Sequence, residues 1–207
     1  MNFSTVLENT IYFLALINPP SKILFLCSKK PPFTRNQLFL LSFRSNVVAL
    51  AILSILTSIG TFLLVSIFHV QIYSLSVAGG AIIFFIGFTA VRQGRFFFEE
   101  DIRGGSLTDI SIMPLAAPLI AGPGVITAAI SATSIYGINL TILCLTIAIA
   151  INFFLMLLSE PIGKGMEKFH ITGPIIRITG LIVTAVAVQM IFSGCENWIK
   201  HVFAAVT

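Results

Sequence analysis

The sequence predicts an all-α integral membrane protein. It reads as a single transmembrane domain over residues 1–207, with six transmembrane helices forming two inverted three-helix repeats in which helices 1 and 4 are broken. Three observations predict this. First, the chain is 57% hydrophobic and 10% charged with a mean hydropathy of +1.01, too little polar surface to cover a water-soluble globule. Second, six runs reach the roughly 17 to 25 apolar residues that cross a ~30 Å hydrocarbon layer as helix: 9–27, 45–68, 72–91, 110–135, 138–159 and 174–194. Third, two of these runs are interrupted at matching places, by Asn18-Pro19-Pro20-Ser21 and by Ala121-Gly122-Pro123-Gly124.

The start of the chain carries Glu8 and no Lys or Arg, and no small-residue cleavage site follows its apolar run, so it reads as a retained first span. The prolines within that span remove backbone donors and clash with the preceding turn, leaving polar groups without helical partners. Each unpaired group in hydrocarbon costs roughly several kcal/mol, so such backbone belongs where it is buried in protein or lines a wet cavity. Lys22 follows the break at about 9 Å of helix rise from Ser28. The favoured expectation is that its ammonium snorkels to the cytoplasmic interface; the alternative places it in a cavity beside Asn18.

Helix 2 is expected to begin before the membrane, because Thr34 and Gln37 form a capping-box pair and Phe33 can staple onto Leu38. From 35 to 68 it would run about 51 Å, so it projects into the cytoplasm or tilts. The connections near 69–71 and 136–139 are short and make spans 2 and 3, and spans 4 and 5, adjacent antiparallel hairpins.

Span 3 carries Gly80, Gly87 and Gly94 at seven-residue spacing. Span 6 carries Gly180, Ala187 and Gly194 in the same rhythm, offset by 100 residues. Both stripes suit close helix packing. Repeat 1 covers about 1–95 and repeat 2 about 110–200, with 96–109 as a polar cytoplasmic link containing Glu99, Glu100, Asp101 and Gly104-Gly105. Asp109 suits the N-cap of helix 4. Pro19 and Pro123 align at the nearly equal offset of 104. Three spans per half turn the second half upside down relative to the first, and paired broken spans point to a binding site at the repeat interface.

Charge placement sets the orientation. Lys29, Lys30, Arg35 and Arg44 follow span 1; Arg92, Arg95 and Arg103 follow span 3; Lys164, Lys168 and Arg177 flank the turn into span 6; the opposite face has only Lys200. By the positive-inside rule the odd-numbered connections are cytoplasmic and both termini lie outside.

Catalytic chemistry finds no purchase in the sequence. Cys27, Cys144 and Cys195 are distant from one another and read as apolar fillers, and His69, His170 and His201 lack metal-ligand spacing. Neither a nucleophile elbow nor a phosphate loop occurs. No enzyme activity, cofactor, metal or nucleic-acid partner is therefore expected. Asn152 and Gln189 lie deep and need partners within the bundle, with interhelical bonding and solute contact both open. Arg177 reads as an interface anchor and Glu160 as a helix-terminal carboxylate. No Asp or Glu falls mid-span, which leaves coupling through an end-of-span group, coupling through a cation held by carbonyls, or uncoupled transport.

The run Pro114-Leu115-Ala116-Ala117-Pro118-Leu119-Ile120-Ala121-Gly122-Pro123-Gly124-Val125-Ile126-Thr127 resembles the fourth span of the MarC family of six-span bacterial membrane proteins. The resemblance extends to Ile17-Asn18-Pro19, Ala78-Gly79-Gly80, and Arg177, Gly180, Gln189 and Gly194, and so covers essentially the whole chain. Some members of that family are described as neutral amino acid transporters, so it implies a small-solute carrier. One departure stands out. The family usually follows Asn-Pro with a hydrophobic residue, a glycine and then a second proline, whereas this chain has Pro20-Ser21-Lys22 and Leu24.

The expected function is a secondary transporter working by alternating access on a small zwitterionic solute, with the bilayer as its surroundings and oligomerisation left open. Around that solute the expected binding groups are Asn18, Pro19, Pro20 and Ser21 at one break and Gly122, Pro123, Gly124 and Thr127 at the other. Helix ends offer positive N-termini to a carboxylate and free carbonyls to an ammonium. The alternatives are a channel or exporter for another small molecule, and an assembly protein without transport activity.

Overall fold

The computed structural model describes residues 3–27, 33–67, 69–94, 115–116, 120–168 and 172–204, and its regular structure there is entirely helical. Five helices are long and apolar enough to cross a membrane: Phe3–Cys27, Arg35–Gly60, Ile72–Gln93, Ile138–Leu157 and Thr172–Phe203. Of the expected fourth span, 110–135, the described part is a shorter helix from Pro123 to Tyr136 with π-type turns at 115–116 and 120 before it. The expected link 96–109, the Asp109 cap, residues 110–114 and 117–119, and Lys29, Lys30, Arg95 and Arg103 lie outside the described residues.

The first span divides into α1, Phe3–Ile17, and α2, Pro19–Cys27. Asn18 between them has φ 56°, a left-handed conformation that asparagine tolerates better than most side chains. Pro19 and Pro20 open α2, where a missing N–H and a fixed φ suit the first turn.

Helix α3, Arg35–Phe62, starts with the expected capping box. Gln37 N–H donates to Thr34 Oγ1 at 3.3 Å, and Thr34 N–H donates to Gln37 Oε1 at 3.0 Å. It closes in a π-type turn, Leu63–Ile67, and the chain reverses at His69 into α4, Ile72–Gln93.

Helices α5, Pro123–Tyr136, and α6, Ile138–Leu157, are joined by Gly137 alone. Its φ of 82° requires a residue without a Cβ. Two further differences from expectation follow. Residues Ser159–Lys168 form a separate helix, α7, started by Glu160 and Pro161 in its first turn, where an acid and a proline both favour initiation. The last span is part of α8, Thr172–Ala204, 33 residues or about 50 Å of helix, well beyond the expected 174–194. Its extension past Gly194 is exposed and carries a Glu196–Lys200 ion pair at 2.7 Å.

The core lies where α1, α3, α5 and α6 converge, around Phe13, Ile17, Leu53, Ile120, Leu145 and Met156. Helix α2 packs against α6 and α7, and Cys27 Sγ lies 3.1 Å from the Ser159 carbonyl oxygen. Large apolar side chains such as Phe85, Phe192 and Phe203 face outward, as expected where the surroundings are lipid.

The longest interface joins α4 to α8, and the small residues of both line it. Gly80 lies against Ala187 and Ile191, Gly87 against Gly180 and Thr184, and Gly194 against Tyr73 and Val77; Gly94 sits beside Arg177. The helices therefore run antiparallel. Shifting both partners by the 100-residue offset converts these contacts into one another: Gly80–Ala187 into Gly180–Gly87, Gly80–Ile191 into Gly180–Val91, and Gly194–Val77 into Gly94–Arg177.

Candidate functional site

The first break is built by its own backbone. In helical register, Pro19 and Pro20 would have donated to the Ala15 and Leu16 carbonyls, and neither has an N–H to give. Asn18 N–H still reaches the Leu14 carbonyl at 2.9 Å, closing α1. The next two carbonyls are taken from below. Ser21 sends its N–H to the Asn18 carbonyl at 3.1 Å and its hydroxyl to the same oxygen at 2.7 Å. Lys22 Nζ donates to the Ile17 carbonyl, and lies 3.4 Å from the Asn18 carbonyl oxygen and 3.3 Å from Ser21 Oγ.

Asn18, Pro19, Ser21 and Lys22 are all buried, Lys22 at 2% exposure, and Pro20 is half-buried. This corrects the snorkelling expectation for Lys22. Acceptors freed by the break stand within reach of the ammonium, so it folds back onto its own helix junction instead of running to the interface. Asn18 Oδ1 is buried without a hydrogen-bond partner among the described residues.

The second break has the opposite polarity. Ala121 N–H donates to the Ala116 carbonyl at 2.8 Å, a π-type bond that ends the preceding turn. Gly122 is then the N-cap of α5, in extended conformation with no side chain to cap the helix, and Pro123 is the first residue. An N-terminus of this kind presents backbone donors and the positive end of the helix dipole. Gly124 and Thr127 point elsewhere. A Cβ on Gly124 would run into Ile83 of α4, and the Thr127 side chain rests on Gly79 of the same helix. These two residues seat α5 on α4.

Helices α1, α4, α5 and α8 enclose a cavity of about 290 Å³ lined by Glu8, Asn9, Tyr12, Ser76, Ser131 and Gln189 among others. It opens at the end of the bundle where α1 begins and α8 finishes. For Gln189, where the sequence leaves interhelical bonding and solute contact both open, the side chain is exposed to this cavity and its amide reaches Ser193 Oγ on its own helix at 3.5 Å. Asn152, by contrast, crosses from α6 to α3. Its Nδ2 donates to Asn46 Oδ1 at 2.9 Å, while Asn46 Nδ2 donates to the Ser42 carbonyl at 2.7 Å. Asn46 escaped the sequence reading, although an asparagine at the head of an apolar run was signal enough. Glu160 and Arg177 lie apart from both breaks: Glu160 with Arg35 beside a hollow at the other end of the bundle, and Arg177 exposed beside Gly94.

Comparison with known proteins places the whole chain. A family model described as MarC family integral membrane protein matches residues 3–199. A UPF0056 membrane protein of Pyrococcus horikoshii is 33% identical over 189 residues, covering 91% of this chain and 92% of that protein. Others occur in Methanocaldococcus jannaschii, 28% identical over 88% of this chain and 92% of its own length, and in Bacillus subtilis, 27% identical over 95% and 97%. No solved structure matches.

Proposed function

The chain belongs to the MarC family of integral membrane proteins, and from that premise we propose that it is a secondary carrier, moving a small solute of the neutral amino acid class across the inner membrane by alternating access. The observation that carries this reading is the first break. In a chain with so few polar residues, Asn18, Ser21 and Lys22 are gathered and buried at one interrupted helix, and discontinuous spans are where carriers hold solutes and ions.

The second break supplies the complement. The uncapped N-terminus of α5 at Gly122 and Pro123 suits a carboxylate, while the carbonyl end of α1 suits positive charge. The cavity lined by Asn9, Tyr12, Ser76 and Gln189 is the access path from one face. Alternating access needs two arrangements of nearly equal energy, and an inverted repeat supplies them. Six spans in two such repeats are supported by the α4–α8 contacts that interchange under the 100-residue offset. The basic residues argue for both termini in the periplasm.

Uptake of labelled glycine and alanine into proteoliposomes, with and without ion gradients, tests the reading. Saturable uptake of at least one neutral amino acid is expected, and its absence for all of them removes the solute assignment.

A further inference from the structure

We propose that Lys22 is a built-in cation occupying a monovalent-cation site at the carbonyl end of the first break, so that this protein needs no dissolved coupling cation there. The C-terminal ends of broken membrane helices collect carbonyl oxygens with no donors left to meet them, and such ends coordinate Na+ in carriers. Here Pro19 and Pro20 create such an end on α1. The group that fills it is the chain's own ammonium, in reach of three oxygens: the Ile17 carbonyl, whose helical donor Ser21 N–H has turned to Asn18; the Asn18 carbonyl, which also accepts from Ser21; and Ser21 Oγ. An ammonium has three donors, so these acceptors can use them all.

Among the described residues no carboxylate is a partner of Lys22; its partners there are all neutral oxygens. It is held as a free cation would be held, by neutral oxygens. A buried membrane lysine is costly unless its charge is met in this way. The Asn18 amide oxygen, buried and without a partner among the described residues, is the acceptor that the ammonium leaves over. The arrangement follows from the departure of Pro20-Ser21-Lys22 from the usual family pattern, because the serine adds the third oxygen and the lysine the charge. The inference rests on the carrier reading only for the coupling role of the displaced ion.

The test is read on stability, without requiring transport. Full-length protein in detergent is unfolded thermally in sodium chloride, methylammonium chloride or N-methylglucamine chloride at equal ionic strength. The wild type should melt at the same temperature in all three. Lys22→Ala should melt lower in N-methylglucamine and regain about 3 °C or more when Na+ or methylammonium exceeds its dissociation constant tenfold. A variant indifferent to both small cations, or a wild type stabilised by Na+, overturns the proposal. Lys22→Ser repeats the test with a smaller polar residue should the alanine variant fail to fold. Lys22→Met fills the volume without the charge, and a wild-type melting temperature for it also overturns the proposal. Cation rescue without amino acid uptake leaves the site standing and removes the neutral amino acid assignment; uptake without rescue keeps that assignment and removes the site.

Discussion

At the residue scale, the decisive distinction is between polar groups that hold helices together and polar groups that await a ligand. Asn152 belongs to the first kind, because its Nδ2 donates to Asn46 across the α3–α6 interface, although its Oδ1 has no partner among the described residues. Interhelical bonds in membranes contribute modestly, since the separated helices find other partners. A double-mutant cycle with Asn46→Leu and Asn152→Leu should therefore give a coupling energy of about 0.6 kcal/mol and no more than about 1.7 kcal/mol. Strict additivity would mean that the two amides do not meet. On the carrier reading, the backbone at Gly122 belongs to the second kind. Gly122→Leu places a bulky side chain at the uncapped start of α5; it should abolish solute uptake while the protein still inserts and purifies in normal yield. Unchanged uptake would leave the break a purely structural feature. Lys22 marks the limit of reading such residues from sequence. Its burial depends on which acceptors the break leaves open, and that is a property of the folded junction, not of distance along the helix.

At the scale of elements, the breaks and the caps were legible because they follow from covalent chemistry. A proline has no N–H wherever it stands, and the Thr34–Gln37 reciprocal cap needs only the right residues three apart. Helix α7 and the length of α8 were not legible in the same way. Both lie in mixed-polarity sequence, where hydropathy sees only the edge of the membrane and the helix continues for reasons of packing and i,i+4 pairing such as Glu196–Lys200. The small-residue stripes were visible as rhythm, but their contact with each other was not. That contact makes a sharp prediction. A Cβ on Gly180 would lie 2.8 Å from the Ala90 Cβ and 2.9 Å from the Gly87 carbonyl oxygen, closer than backbone can yield without moving the helices. Gly180→Ala should cost about 1–3 kcal/mol by overpacking. Gly173→Ala, in the same helix with nothing within 4 Å of its Cβ position, should be neutral or stabilising by up to about 1 kcal/mol. Equal effects in a thermal unfolding comparison would mean that glycine in α8 serves something other than close approach.

At the scale of the molecule, the number of spans and the side on which each end lies are one question. An even count returns the chain to the face from which it started, and an odd count does not. Five helices meet the length and hydropathy of a span, and α5 with the turns before it supplies the candidate for the sixth. The chain carries a convenient probe, since Cys195 is exposed near the end of α8, Cys27 is half-buried and Cys144 is buried. In a background lacking Cys27 and Cys144, a membrane-impermeant maleimide added to intact spheroplasts should label Cys195. In a background that also lacks Cys195 it should label Ser4→Cys at the exposed start of α1, because on the six-span reading the ten basic residues of the other face put both outside. Gln93→Cys, exposed at the end of α4 beside Arg92, should react only after lysis. If Ser4→Cys and Cys195 label from opposite sides, the fourth hydrophobic run does not cross, the halves cannot be inverted copies, and the interchange of contacts between α4 and α8 becomes a packing coincidence with no bearing on alternating access.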